Sequence, residues 1–500
     1  MQLNTKAIEL AFHNWVSSFS FGEFISPSLE KPWFFTEFSF LLLFGAFLIL
    51  YSFLSLNKSL RISSVIAFSL FFYYKSSGVF IAIFIALILS DFVFALMIHR
   101  NKVKWVRKLM LFVSVSFTLS FLLYFKYANF FITNYNQLAF NKMEALDLFL
   151  PIGISFYTFQ SMSYIIDVYR HEIQPSRNVL DYAFYMTFFP HLVAGPIVRA
   201  KDFLPQISNP IKFDAILFNE GFLRISIGLL KKLLLADYLG KYVDLVHQSP
   251  DQFSAFENTI SAYAYTFQIY FDFSGYSDIA IGIALLLGYR LTENFNLPYK
   301  SIRLSEFWRK WHISLSTWLR DYIYIPLGGN RKGQVSMYLF LMITMLLGGF
   351  WHGADWKFVL WGALHGLGLV LDKSFRWPFQ GRWQPLKAVL SAIFTFHFVA
   401  FCWIFFRAES MEFALIQIQQ IGQGWHLSDA ANFYVARTEW SIFFLSAVVV
   451  CFAPKRWSLS LWNSLLKVPV FAWFLVLLIV LQFIVQFRDE TVQPFIYFQF

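Results

Sequence analysis

The sequence predicts an all-α, polytopic integral membrane protein. Of its 500 residues 58% are hydrophobic and only 14% are charged, whereas soluble domains usually carry about 25% charged residues. Aromatic residues make up 21% of the chain and include 65 Phe, a composition that suits lipid-facing surfaces, with Trp and Tyr at the membrane interfaces. Apolar runs that approach the roughly 20 residues of a spanning helix recur along the whole chain.

These apolar runs are the candidate spans. In chain order they are 38–56, 62–74, 79–98, 109–125, 152–169, 222–239, 260–287, 337–350, 358–371, 389–406, 442–452 and 468–487. Several are short, so we expect some to be tilted, re-entrant or paired with a neighbour, giving about 10–12 helices.

Loop charge orients the spans. The formal net charge is +10, but the basic residues lie in short loops, so they indicate topology rather than nucleic-acid binding. The basic loops at 100–108 and 300–332 are expected in the cytoplasm, which places the N-terminus and the stretch 407–439 outside. We expect an N-terminal extension over residues 1–32 and one multi-pass membrane domain over 33–500.

Other site classes find no support in the sequence. Cys402 and Cys451 both lie in apolar runs, without the spacing of a metal site or a disulfide framework. The chain has no nucleotide-binding glycine-rich loop, no GxSxG elbow and no HExxH motif. We therefore expect no bound cofactor and no metal, and energy-coupled transport has no positive signal.

Two carboxylates break the apolar pattern of the segment 270–298. Asp272 and Asp278 lie near or within an apolar run, where a carboxylate is costly and usually faces a protein interior or a wet cavity. They are expected to be buried supports with Ser274 and Ser277 as hydrogen-bond partners, although a functional role stays open.

The segment 305–333 combines tryptophans with cations. Trp308, Trp311 and Leu315 follow the spacing of one helix face, and this predicts an interfacial amphipathic helix without chemistry. His312 lies next to this stripe. A basic, aromatic helix with a histidine is also suited to binding an anionic cofactor such as a nucleotide phosphate.

A further histidine, His352, lies in a strongly apolar setting. His352 follows Gly348–Gly349 and Trp351, and no charged residue occurs in the preceding dozen positions. Poor solvation there favours a neutral imidazole, which is a good general base near physiological pH. The glycines allow close approach of a substrate or of a neighbouring backbone. A structural, hydrogen-bonded histidine is the alternative, here and at His365.

These segments together resemble the membrane-bound O-acyltransferase superfamily, and within it the bacterial branch of alginate O-acetyltransferases. The stretches that carry the resemblance are LPIGISFYTFQSMSYIIDVYR at 150–170, FFPHLVAGPIVR at 188–199, GLLKKLLLADYL at 228–239, YFDFSGYSDIAIGIALLLGY at 270–289, NFNLPYKS at 294–301, FWRKWHISLSTWLRDYIYIPLGGNRKG at 307–333, WHGADWKFVLWGALHG at 351–366 and PFIYFQF at 494–500. The resemblance runs from about residue 33 to the end. Lys310, where the family commonly has Arg, and Asp355, where smaller residues are common, depart from the pattern.

The resemblance implies a helical membrane fold around a central funnel, with a cytoplasmic acyl donor and an acceptor on the far side. It implies that His352 and His312 are the two catalytic positions and that either could be the base, with His352 as the first candidate. Trp311, Trp351, His365, Asp272 and Asp278 are expected as supporting residues.

The expected reaction moves an acetyl group from a thioester, either acetyl-CoA or an acyl carrier thioester, to a hydroxyl. Candidate donor phosphate contacts are Arg309, Arg320, Lys231 and Lys232, although Arg309 and Arg320 equally suit a purely topological role. The expected partners are membrane lipid, an exported alginate-like polysaccharide and a periplasmic protein of the serine esterase-like type.

Two other functions remain open at this point. The same fold could acylate cell-wall material, by peptidoglycan O-acetylation or teichoic acid D-alanylation, or the chain could be a non-catalytic transporter. Loop charge puts His312 toward the cytoplasmic side and His352 near the outer end of a short span. The enzyme hypothesis therefore requires that both histidines converge on one cavity.

Overall fold

All regular structure in the described part of the chain is helical, as the sequence predicts. The computed structural model describes residues 32–374 except 141, 194, 212 and 213, and residues 384–470, together with 22, 26–29, 472, 473, 475, 476, 479, 480, 482, 495 and 496. The predicted N-terminal extension and the predicted span 468–487 lie largely outside the described residues. No strand occurs in the described ranges.

The chain forms two compact units, each assembled from separated segments. The first comprises residues 1–226, 278–292 and 468–486, and the second comprises 227–277, 293–467 and 487–500. Each unit has its own buried aromatic and aliphatic residues. The units are described separately below.

The helices of the first unit are mostly long and apolar. They are α1 Phe38–Leu54, α2 Lys58–Ser77, α3 Ile81–Arg100, α4 Lys104–Leu122, α5 Ala128–Leu138, α6 Ile154–Tyr169, α7 Val179–Thr187, α8 Phe189–Leu192, α9 Ala200–Ser208 and α10 Ala215–Leu229. Only the first part of α10, up to residue 226, belongs to this unit. A 3₁₀ turn, Gly78–Phe80, joins α2 to α3, and a π-helical turn, Leu123–Tyr127, joins α4 to α5.

Two charged side chains inside the first unit, Arg61 and Asp278, have polar partners, as an apolar surrounding favours. The Arg61 guanidinium donates to the backbone carbonyls of Ile207 and Asn209 at 2.7 and 3.0 Å. Asp278, for which a serine partner was expected, instead accepts from the Arg224 guanidinium at 3.3 Å. A cation is the stronger partner for a carboxylate that has little water around it.

The second unit contains the remaining helices. A π-helical segment, Leu230–Ala236, leads into the first of them. They are α11 Asp237–Gln248, α12 Ala255–Leu286, α13 Leu304–Lys310, α14 Ile313–Leu319, α15 Ile325–Leu327, α16 Gln334–His352, α17 Trp356–Ser374, α18 Gln384–Arg407, α19 Met411–Ile421, α20 Leu427–Ala436, α21 Thr438–Phe452 and α22 Lys455–Leu465. Helix α12 belongs to this unit up to residue 277. Trp311, Trp361 and Trp403 are among its largest fully buried side chains.

Several described helices have the length and composition of membrane spans. Five stretches qualify alone, and α20 and α21 qualify as a pair that bends by 101° between them. The single stretches are 58–100, 104–138, 255–286, 334–352 and 385–407. The chain is therefore a multi-pass membrane protein, and the bent pair matches the expectation of broken or re-entrant segments. The larger number of about 10–12 helices crossing the membrane stays a prediction.

Asp272 anchors a buried ion-pair cluster in the second unit. The Lys232 ammonium contacts Asp272 Oδ1 at 2.5 Å and Asp237 Oδ1 at 2.7 Å, and the Ile496 N–H donates to Asp272 Oδ2 at 3.1 Å. The expectation that serines pair with Asp272 is therefore wrong. The same contacts correct the expected role of Lys232, because an ammonium that holds two carboxylates inside the protein is not available to a donor phosphate.

Replacing Lys232 should destabilise the second unit strongly. Lys232→Met leaves Asp272 as an uncompensated buried charge, and breaking one side of a buried pair typically costs about 3–5 kcal/mol. We expect a lower thermal midpoint and a lower yield of detergent-solubilised protein. Lys241→Met, at an exposed lysine of the adjoining helix α11, is the matched control and should behave like the unmodified chain. Equal thermal midpoints for the two variants would show that the cluster contributes little.

Candidate active site

The helical hairpin of α16 and α17 carries His352, and glycines allow the two helices to approach each other closely. A Cβ added at Gly349 would lie 2.3 Å from the Phe358 carbonyl oxygen, and one added at Gly362 would lie 2.4 Å from the Met345 carbonyl oxygen. Both distances are shorter than any real contact of that kind. Of the two sequence-based explanations for Gly349, a neighbouring backbone rather than a substrate is the one that the structure supports.

His352 is the last residue of α16 and lies among aromatic rings. Its imidazole is edge-to-face with Trp361 at 5.0 Å and with Phe406 at 5.2 Å, and it lies 4.9 Å from the ring of Trp351. Only 5% of the residue is exposed. The surrounding rings exclude bulk water from the imidazole.

Polar contacts hold the turn after His352 in place. Asp355 Oδ1 accepts the N–H of Lys357 at 2.8 Å and so caps the first turn of α17. The Lys357 ammonium donates to the carbonyl of Ala408 at 2.5 Å, just beyond the end of α18, where a cation is favourable. Asp355, a departure from the family pattern, thus has a structural role.

His312 lies at a break between two short helices. The spacing of Trp308, Trp311 and Leu315 predicts one helix, but α13 ends at Lys310 and α14 begins at Ile313. His312 has φ 41° and ψ 56°, in the left-handed region that residues other than glycine seldom adopt. The expectation of an uninterrupted interfacial helix is therefore wrong, and the break turns the imidazole away from the helical stripe.

Asn294 holds this unusual turn in place. Its backbone carbonyl accepts the N–H of Ile313 at 2.9 Å, and its side-chain oxygen accepts the N–H and the hydroxyl of Ser314 at 3.2 and 2.7 Å. On the other side of the histidine, the Asn296 N–H donates to the Lys310 carbonyl at 3.0 Å. These bonds offset the cost of the left-handed backbone and fix the direction of the His312 side chain.

The two histidines converge on one aromatic ring. The His312 imidazole lies 4.6 Å from Phe273 and 6.2 Å from Trp351, measured between ring centroids, and His352 lies 4.9 Å from the same Trp351 ring. The separation of the two imidazole centroids therefore cannot exceed the sum of their distances to Trp351. Both side chains are buried, so the two histidines lie beside the same tryptophan ring within one unit. The cavity that the enzyme hypothesis requires between them stays a prediction.

Burial also sets the protonation of His312. The residue is fully buried, and desolvation lowers the pKa of its imidazole to about 3 because a charged ring has no water to solvate it. The ring is consequently neutral at physiological pH. A neutral ring offers one N–H donor and one acceptor nitrogen.

The supporting aromatic residues form the wall behind His352. Trp308 Nε1–H donates to His365 Nδ1 at 3.3 Å, and the His365 ring lies 4.8 Å from Trp361. Trp311 stacks on Phe307 at 5.5 Å. His365 is therefore part of this wall, and the ring of Trp361 contacts both His365 and His352.

The predicted donor contacts lie in different environments. Arg309 is exposed, and Arg320 is exposed with its guanidinium 2.7 Å from Asp321. Lys231 is half-buried, and Lys232 belongs to the cluster described above. Asp278 lies in the first unit. The described residues contain no group of three or more His, Cys, Asp or Glu side chains that could hold a metal ion.

Sequence reasoning missed four residues of the site. They are Asn294, Phe273, Trp361 and Phe406. A signal for Trp361 exists, since it precedes His365 by one helical turn on the same face. Asn294 belongs to an Asn-x-Asn-x-Pro stretch typical of turns, but its partner Ser314 is 20 residues away and no local pattern identifies it.

Comparisons with known proteins identify relatives of this chain. The profile of the membrane-bound O-acyltransferase family matches residues 170–408, which include both histidines. The chain is 46% identical to the probable alginate O-acetylase AlgI of Pseudomonas putida over 312 residues, 61% of this chain and 62% of that protein. It is 36% identical to the peptidoglycan O-acetyltransferase of Helicobacter pylori over 375 residues, covering 69% of this chain and 71% of that protein.

A more distant relative is the teichoic acid D-alanyltransferase of Bacillus subtilis, 26% identical over 276 residues, which are 52% of this chain and 69% of that protein. Against the alginate O-acetylases, the aligned part of this chain spans about three-fifths of their length.

Enlarging Gly349 should disrupt the hairpin that carries His352. In Gly349→Ala the added methyl group meets the Phe358 backbone, which cannot move aside as a side chain can, so we expect a loss of about 1–3 kcal/mol or more in the free energy of unfolding. Thermal unfolding of the purified protein measures this. Gly45→Ala in α1, where the new methyl group would meet nothing within 4 Å beyond its own turn of helix, is the control and should be neutral or slightly stabilising. An unchanged thermal midpoint for Gly349→Ala would contradict the close helix crossing.

Proposed function

This chain belongs to the membrane-bound O-acyltransferase family, and from that premise we propose that it transfers an acetyl group from a cytoplasmic thioester to the hydroxyls of an exported, alginate-like polysaccharide, directly or through a periplasmic partner. The observation that carries the proposal is the approach of His312 and His352 to the single ring of Trp351. A transporter would need no such pair of buried imidazoles. The proposed location is the inner membrane.

The similarity to alginate O-acetylases supports the proposed acceptor. Identity to the Pseudomonas putida protein is 46%, compared with 26% to the Bacillus subtilis D-alanyltransferase. A second acceptor, peptidoglycan, has its own support, because the Helicobacter pylori peptidoglycan O-acetyltransferase aligns over more residues, 375, at 36% identity. Both acceptors present a sugar hydroxyl, so the chemistry at the histidines is the same.

His352 is the general base of the proposed reaction. Its imidazole accepts the proton of the acceptor hydroxyl while the hydroxyl oxygen forms a bond to the thioester carbonyl carbon. The carbon–sulfur bond then breaks, and the thiol leaves with the proton returned from the imidazole. An acetyl ester and a free thiol are the products, so no cofactor is consumed.

His312 acts on the donor in this proposal. Because the pKa of its imidazole is near 3, the neutral ring can donate one hydrogen bond to the oxygen on which charge develops when the carbonyl is attacked. It needs no change of protonation state for this role. The aromatic rings around both histidines exclude water, and this limits hydrolysis of the thioester.

The donor phosphates are proposed to bind at exposed cations near the cytoplasmic end. Arg309 is the best candidate of the four, because it is exposed and belongs to α13, the helix that leads to His312. Arg320 already contacts Asp321 and is a weaker candidate. Acetyl-CoA suits such contacts through its charged phosphates, as does the phosphopantetheine of an acyl carrier.

Substitution of His352 tests the function directly. In a strain that lacks the chromosomal gene, His352→Ala and His352→Gln should insert normally yet lose at least about 100-fold in ester-linked acetate, the range that general base catalysis contributes. Ester-linked acetate is measured separately on the exported polysaccharide and on peptidoglycan. The polymer that loses acetate identifies the acceptor.

His397→Gln is the control, since this histidine is exposed on α18 and its imidazole donates to the Ile393 carbonyl of the same helix. Full acetylation of both polymers by the His352 variants would show that His352 is not the general base. Loss of acetylation in the His397 variant to the same extent would show that the assay reports folding rather than catalysis.

Asn294 is expected to act as a positioning residue for His312. Asn294→Ala removes the acceptor of two Ser314 bonds and frees the His312 turn, and misplacement by about 1 Å costs roughly 100-fold in rate. We expect kcat to fall by about 10- to 100-fold with a thermal midpoint within a few degrees of the unmodified chain. Both are measured on protein in lipid vesicles with a thioester donor.

The control is Asn258→Ala, at a buried asparagine that donates to the carbonyls of Pro250 and Phe253. It should lower the thermal midpoint and leave kcat per folded molecule unchanged. If both variants lowered kcat and the thermal midpoint in parallel, Asn294 would have a structural role only.

A further inference from the structure

The second unit contains a cavity that the proposed reaction does not use. Its volume is about 430 Å³, within the range of roughly 300–1,000 Å³ that is typical of ligand sites. Three elements line it, the turn into α13, the C-terminal part of α17 and residues 387–398 of α18. The lining residues are Ile302, Arg303, Leu304, Gly368, Leu371, Asp372, Lys387, Leu390, Ser391, Phe394, Thr395 and Phe398.

Helix α18 supplies the length of the cavity. Two rows of side chains at four-residue spacing face it, one formed by Lys387, Ser391 and Thr395 and the other by Leu390, Phe394 and Phe398. From Lys387 to Phe398 the helix rises about 16 Å. The cavity is therefore an elongated slot, charged at one end and aromatic at the other.

Helix α17 forms the opposite wall of the slot, where Gly368 packs closely against neighbouring side chains. A Cβ at Gly368 would lie 2.6 Å from Leu304 Cδ2 and 2.8 Å from Phe398 Cζ, so α17 approaches these two side chains closely. The ring of Phe398 lies 5.8 Å from that of His365. The slot thus ends at the outer side of the aromatic wall behind His352.

The open side of the slot is apolar. Phe394 is 72% exposed and Leu390 is 57% exposed, and both belong to a helix long and apolar enough to span a membrane. Large apolar side chains exposed on such a helix face lipid. A ligand that enters from this side comes from the bilayer.

The charged end favours an anion. Lys387 lies at this end of α18, and Arg303 and one carboxylate, Asp372, also line the slot. Asp372 Oδ2 already accepts the N–H of Ser305 at 3.1 Å, near the start of α13. The loops at this end of α17 and α18 are the basic ones that the positive-inside rule assigns to the cytoplasm. The cytoplasmic leaflet is where anionic phospholipids are attracted by lysine and arginine.

We propose that this slot is a binding site for an anionic phospholipid, with one acyl chain along α18 and the headgroup phosphate against Lys387 and Arg303. The apolar opening, the elongated shape and a lining with two cations and one carboxylate all fit such a molecule. The proposal goes beyond the acyl transfer proposed above and does not depend on it.

Native mass spectrometry of the full chain in detergent tests the site. The protein is titrated with phosphatidylglycerol and with phosphatidylcholine that carries the same acyl chains. We expect tighter binding of phosphatidylglycerol. Lys387→Gln should weaken phosphatidylglycerol binding about fivefold, the effect of one basic residue at a membrane surface, and leave phosphatidylcholine binding unchanged.

Filling the slot tests its shape separately. Leu390→Trp adds bulk at a largely exposed position, and Ser391→Phe adds it deeper, at the loss of the bond from Ser391 Oγ to the Ile302 carbonyl. Both variants should weaken the binding of both lipids at least fivefold. Lys102→Gln, at an exposed lysine in a cytoplasmic loop outside the slot, is the charge control and should bind phosphatidylglycerol like the unmodified chain.

The proposal is overturned if phosphatidylglycerol binding is the same in Lys387→Gln and the unmodified chain, or if Lys102→Gln weakens it to the same extent. It is also overturned if phosphatidylcholine binds as tightly as phosphatidylglycerol, or if Leu390→Trp binds both lipids normally. Since Lys387 is only half-buried and Leu390 is exposed, both of these variants should fold.

Discussion

The close crossing of α16 and α17 at Gly349 and Gly362 is the constraint on which the site depends. Because the backbones nearly touch there, His352 at the end of one helix comes into contact with Trp361 on the other. No side chain larger than hydrogen fits at the crossing. The apolar environment that this packing creates keeps water from the imidazole, and the chemistry proposed for His352 requires that exclusion.

His312 reaches the same place by a different route. A continuous helix through residues 304–319 would direct the imidazole along a stripe of tryptophans, but the left-handed residue at position 312 interrupts the helix and the ring turns toward Phe273 and Trp351. The backbone there is unfavourable for a histidine by itself. Asn294 makes it possible through three hydrogen bonds, so the site is assembled from segments distant in sequence.

The sequence predicts the parts of this site that depend on local pattern. Apolar runs identify the helices, and the isolated polar residues in them identify His312, His352 and Asp272 as unusual. Partners set by tertiary contacts are not predictable in this way. The carboxylate of Asp272 pairs with Lys232, 40 residues earlier, not with nearby serines, and helical periodicity at Trp308 and Trp311 conceals the break that Asn294 stabilises.

The central claim is that His312 and His352 act as one unit on one thioester. A double-mutant cycle of His312→Ala, His352→Ala and the combined variant, with the rate of acetyl transfer per inserted molecule as readout, measures their coupling directly. The account predicts strong non-additivity, with the combined variant no slower than the slower single variant. Fully additive losses, in which the logarithmic rate effects of the two single variants sum, would show that the histidines act independently and would contradict the account.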